Sequence, residues 1–209
     1  MATIAALGKT SAGPAISAAL FQKDCFYARR SRFSWSPKFY FYDEQGNTLA
    51  FVRNAIFSWN KEVRIFTDPT LSFELLAIRP LSRRNLGATF AVTDSVNHKR
   101  VGAIRQIKPG RLQRQWVLIN SDDQELATVT EDSLLLGGIR RLVTHGVPQS
   151  YTFRLAGHEI GKATQSGGLF SPEMKIDLSG DGGKQLDRRL AAAAVVLLLG
   201  ISAHAPGAQ

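Results

Sequence analysis

Cysteine is nearly absent from this chain: Cys25 stands alone in 209 residues. A single thiol excludes an intramolecular disulfide framework and any cysteine-rich zinc site, and it fits a reducing compartment. Its ordinary reading is a half-buried small side chain rather than a lipidated or reactive one. Histidine is also scarce: His98, His145, His158 and His204 are scattered, without a spacing such as His-Glu-x-x-His. No Gly-x-Ser-x-Gly elbow occurs. Gly182-Gly183-Lys184 lacks the distant first glycine of a phosphate loop, and Gln185 stands where Ser or Thr is required. The expectation is a non-enzymatic protein, with no catalytic residues, no metal site and no cofactor.

Long apolar runs are missing too. The longest, Leu190 to Ser202, follows Asp187-Arg188-Arg189 directly and cannot be lengthened upstream without burying charge. A membrane span needs about 20 apolar residues, whereas this run would cover only about 20 Å as a helix. Its alanines and leucines favour helix, and Pro206 lies just beyond it. A helix apolar around its whole circumference must be enclosed on all sides. The economical enclosure is a sheet closed around it, with the helix at about residues 186–203. Fully hiding each of its large aliphatics contributes about 1.5–3 kcal/mol gross.

Residues 1–20 are rich in Ala, Gly and Ser and hold one charge, Lys9. Without a basic start and an unbroken apolar core, this is a poor secretory signal, and it reads as a flexible leader. Residues 21–209 then form a single domain. Its hydrophobic content of 44% and charged content of 21% argue against wholesale disorder.

What is present is a repeated layout. Four segments run as an alternating apolar strand, a polar turn, and a return strand opening on an aliphatic and then a small residue. They are Phe39–Tyr42 with Leu49-Ala50, Phe90–Val92 with Val101-Gly102, Trp116–Ile119 with Leu126-Ala127, and Tyr151–Leu155 with Ile160-Gly161. Their polar turns tolerate hairpin geometry. The recurrent small residues at 50, 102, 127 and 161 mark positions where another element approaches the sheet closely, with the apolar helix as the candidate. Val63–Phe66 and Phe73–Ile78 add strands, and Phe26–Phe33 and Met174–Leu178 are weaker ones. The total, about 10–12 short strands, fits a sandwich or a closed barrel, and the need to enclose the helix selects a mainly β, closed antiparallel barrel around a buried C-terminal helix.

The charge is lopsided. The formal net charge is +9, which favours anionic partners. No acid lies between Asp94 and Asp122, while Lys99, Arg100, Arg105, Lys108, Arg111 and Arg114 all do. These six are the candidate lipid- or anion-binding residues; Arg79, Arg83 and Arg84 form a second group. The plain alternative is a solvated strand edge kept from aggregating. Nucleic acid is disfavoured, because the nearby stacking residue, Trp116, sits in an alternating strand that marks it as core.

Hairpins such as Tyr42–Asn47, the segments Phe39–Val52 and Val63–Ile78, and an apolar helix after Ile176–Leu190 together resemble the tubby C-terminal-like superfamily. Within it, the likeness is to the LURP-one-related and phospholipid scramblase-related proteins. The resemblance covers roughly residues 21–204 and rests on the order of elements. It implies a twelve-stranded barrel around a central helix, and either lipid-headgroup binding or calcium-dependent lipid scrambling. The palmitoylated cysteine cluster and proline-rich leader of animal scramblases are absent here. Asp177-Leu178-Ser179-Gly180-Asp181-Gly182 opens like a calcium loop, but Arg188 occupies the place of its closing glutamate. The resulting expectation is a cytoplasmic, peripherally membrane-associated module that docks on anionic phospholipid or another polyanion. Its alternative is a membrane-associated scramblase-like protein, and a purely structural or protein-partner role also stays open.

Overall fold

The computed structural model describes residues 19–31, 38–53, 62–82, 88–107, 114–132, 149–166 and 173–202. Twelve strands follow one another in the chain: β1 (Cys25–Arg30), β2 (Phe39–Tyr42), β3 (Thr48–Arg53), β4 (Val63–Phe66), β5 (Glu74–Ser82), β6 (Thr89–Asp94), β7 (Lys99–Ile107), β8 (Gln115–Ile119), β9 (Glu125–Glu131), β10 (Ser150–Leu155), β11 (His158–Ser166) and β12 (Glu173–Asp177). Each pairs antiparallel with the next, and β1 pairs with β12, so the sheet closes into the expected barrel. Both weaker candidates take part in that closure, Phe26 facing Ile176 and Ala28 facing Met174.

Alternation explains the wall. In β12, Met174 and Ile176 are buried between partly exposed Glu173, Lys175 and Asp177. Arg29, Arg64, Arg79 and Lys162 stand exposed along other strands. A charged outer wall around an apolar interior is the inverse of a membrane-spanning barrel, whose outward band is apolar.

Helix α1 (Arg188–Ser202) fills the interior. Every residue from Leu190 to Leu199 is at most 5% exposed, and all but Ala192 share one core cluster with inward residues of all twelve strands. A helix lying on the outside would leave one face open. This one is apolar all round because it is surrounded all round. No helix among the described residues is long and apolar enough to cross a membrane. At the other end of the domain, Leu20 belongs to the core, 1% exposed within a helical turn at residues 19–22. The domain therefore takes in residues assigned above to the leader.

The repeated aliphatic–small pair has a different cause from the one expected. At each occurrence the strand register slips by one residue: Phe41 faces Ala50 but Tyr42 faces Thr48, and the same slip brackets Val101, Leu126 and Ile160. The aliphatic is the extra residue of a β-bulge, which bends and twists the strand as closure of a barrel requires. At the two glycines the missing side chain makes room for a neighbouring strand, while Ala50 and Ala127 share the core cluster with the helix. A methyl on Gly102 would lie 2.1 Å from the Ile119 carbonyl oxygen, and one on Gly161 would lie 2.2 Å from that of Asp177.

The up-and-down order sorts the connections to two rims. Hairpin turns after β2, β4, β6, β8 and β10 share one rim, called the turn end, with the stretch that leads from β12 into α1. The tightest turn is Ala156-Gly157, both residues at positive φ (49° and 85°), the geometry that joins right-twisted strands through two residues. The connections after β1, β3, β5, β7, β9 and β11 share the opposite rim, the loop end.

Candidate anion-binding surface

The six basic residues singled out in the sequence do not form one patch. Lys99 and Arg100 open β7 at the turn end, where Arg100 is ion-paired with Asp123. Arg105 points outward and is ion-paired with Glu125, so the pair spans β8 on the face carrying Val117 and Ile119. Those two side chains form a small buried outer cluster with Ala103. Arg114 precedes β8 at the loop end, and one of its guanidinium nitrogens is buried with no acceptor among the described residues. Lys108 and Arg111, with Arg83 and Arg84 of the second group, lie outside the described residues. A stretch read as continuous in sequence is divided because β7 runs the length of the wall.

The larger segregation of charge appears only when sequence and topology are combined. All 17 acidic residues fall within the described residues. Only Glu62, Glu131, Asp132 and Glu173 flank loop-end connections; the others occupy hairpin turns, the strand ends next to them, the chain from Asp177 to Asp187, or, for Asp24, the start of β1. The described residues hold as many basic as acidic side chains. The excess of +9 therefore belongs to the remaining chain, which carries Lys9, Arg32, Lys61, Arg83, Arg84, Lys108, Arg111, Arg140 and Arg141 and no acid. Apart from Lys9, every one of these falls between two strand ends of the loop end. Counting charge along the chain could not reveal this, because hairpin turns and loop-end connections alternate.

At the turn end the carboxylates are occupied. Asp187 caps α1, accepting from the Arg189 N–H at 2.8 Å. Arg188 donates to Asp181 at 2.7 Å and to Asp24 at 2.7 Å, and it is nearly as buried as Asp181, at 4% and 3% side-chain exposure. Arg189 reaches Asp94 at 2.7 Å, beside the β6–β7 turn. Burial opposes ionisation of Asp181, but Arg188 and the N–H groups of Gln185 and Leu186 outweigh it and hold the carboxyl below its ordinary value. Asp94 is likewise held low against its burial, by the Asn97 N–H and Arg189. The hydroxyls of Thr70 and Thr67 bring Asp68 down to about 2.

This network decides what the Asp177–Asp181 stretch is. Asp177 accepts from Ser179, and both Asp181 oxygens are engaged, one by Gln185 and the other by Leu186 and Arg188. The Arg188 guanidinium is paired with an Asp181 oxygen, and the stretch forms a polar turn leading into α1. Among the described residues, no group of three or more His, Cys, Asp or Glu could hold a metal ion. Trp116 is core, 1% exposed, as its strand position requires. Cys25 is partly buried, and desolvation with a Glu44 hydrogen bond pushes its thiol upward, away from the reactive thiolate.

Compared with known proteins, the chain matches no protein-family model. No curated protein matches it either.

Proposed function

We propose that this barrel is a non-enzymatic module that docks on anionic phospholipid surfaces through its loop end. The observation that carries the reading is the location of the charge excess: apart from Lys9, it falls between strand ends of one rim. Basic residues near an acidic membrane contribute about 1 kcal/mol each. A rim with an excess of one sign also steers approach from a distance through long-range attraction. The resemblance to tubby-type proteins, whose members bind lipid headgroups, points the same way. The scramblase-like alternative asks α1 to anchor the protein in the bilayer and the 177–181 stretch to bind calcium. The enclosure of α1 and the engaged oxygens of Asp181 both count against it.

The test is sedimentation of the full chain with vesicles of phosphatidylcholine alone and of phosphatidylcholine with phosphatidylserine. Binding only to the acidic vesicles, weakening as salt rises, is expected. Replacing Arg83, Arg84, Lys108 and Arg111 together by Ala weakens that binding by roughly a thousandfold, at about 1 kcal/mol for each charge. Replacing Lys99 and Arg100 by Ala at the opposite rim leaves it unchanged. Failure to bind acidic vesicles at low salt ends the proposal.

A further inference from the structure

Four large hydrophobic side chains stand exposed among the described residues: Leu81 at 60%, Phe73 at 52%, Val96 at 45% and Ile107 at 37%. Topology divides them evenly. Phe73 precedes β5 and Val96 lies in the β6–β7 turn, so both are at the turn end, close to Asp68, Glu74 and Asp94. Leu81 and Ile107 close β5 and β7 at the loop end. Leu81 is the extra residue of a bulge between Pro80 and Ser82, which pushes it out of the ladder. One strand, β6, separates it from Ile107, and the register sets Ser82 level with Arg105, so two strand spacings and two residues along the strand put the pair roughly 12 Å apart.

The chemistry around this pair names the partner. Leu81 is followed in the sequence by Arg83 and Arg84, and Ile107 by Lys108 and Arg111, with no acid in either connection. An exposed aliphatic next to bases is poorly suited to a nucleic acid, which offers phosphates and stacking faces but no hydrocarbon. It suits an acidic bilayer, where the bases meet headgroups and the aliphatic enters the acyl boundary. We infer that Leu81 and Ile107 are paired shallow anchors, inserted below the headgroups when the loop end docks. The inference rests on the membrane-docking reading and adds to it a contact that salt does not screen.

The two contributions separate by salt. Vesicle binding of the full chain is measured at about 0.1 M and about 0.5 M salt, where exposed charges are increasingly screened. The unaltered protein retains a salt-resistant fraction. The double substitution Leu81→Ser, Ile107→Ser abolishes that fraction and weakens low-salt binding about tenfold, from lost apolar burial. Phe73→Ser with Val96→Ser, equally exposed but at the turn end, changes neither. Heparin, a soluble polyanion without hydrocarbon, binds the unaltered protein and the Leu81/Ile107 variant equally. Equal vesicle binding by those two proteins at both salts overturns the anchors and leaves the charge reading standing. An equal loss of heparin binding in the Leu81/Ile107 variant also overturns them. Absence of acidic-vesicle binding at low salt removes both proposals.

Discussion

At the rim where α1 enters the barrel, carboxylates sit in tight turns and are met by backbone N–H groups, hydroxyls and two arginines from the helix itself. At the opposite rim the acids are few, and bases outnumber them in the connecting chain. The same twelve strands feed both rims, so the contrast is a property of the connections. The turn end uses its charges internally: they fix the helix start, and the concentrated acids also face the positive end of its dipole. The loop end has more basic charge than its own acids can neutralise, and that surplus is what a partner can use. One rim thus supports the fold, and the other is free to act.

Substitutions at the turn end are the sharpest way to break this division. Asp181→Asn leaves Arg188 buried without its buried carboxylate partner. Removing one partner of a buried pair costs about 3–5 kcal/mol, and the low end is expected because Asp24 remains. Urea unfolding measures the loss, while vesicle binding of the folded protein stays as it was. A loss of binding without a loss of stability would erase the distinction between the rims. Gly161→Ala tests the bulge beside the same rim. Its new methyl would lie 2.2 Å from a backbone oxygen of Asp177, and overpacking of this kind costs about 1–3 kcal/mol. An unchanged thermal midpoint would refute the tight strand approach.

Acid titration gives the mildest test near neutrality. Asp68, Asp94, Asp177 and Asp181 are all held below their ordinary values in the folded protein. Their stabilisation is therefore complete above the unfolded carboxyl value of about 3.9 and disappears as pH falls below it. The urea midpoint should be flat from about pH 7 to about pH 5 and then drop. Asp181→Asn should drop less steeply. A midpoint that rises on acidification would contradict the network.

Much of the architecture was legible because it depends on local pattern. Alternation and turn residues placed the hairpins, and the length and flanks of the 190–202 run favoured enclosure over a span. The aliphatic–small pair was visible, but its meaning was not: a one-residue slip shows only when both strands of a ladder are paired. Arg188 was legible as a misfit in a calcium loop, and its partners, half-exposed Asp24 and buried Asp181, were not, since Asp24 is distant in sequence. The candidate basic stretch was read as one patch because sequence adjacency ignores the length of β7, which carries Lys99 and Ile107 to opposite rims.

By itself, the order of residues determined a closed β wall, an apolar helix that had to be covered, and a positive excess. These follow from periodicity, composition and the cost of exposing hydrocarbon, all properties of neighbouring residues. Which charges neutralise one another, and which rim keeps the surplus, was decided by the tertiary structure alone. An up-and-down barrel sends alternate connections to opposite ends, so residues adjacent in the chain part company and distant ones meet.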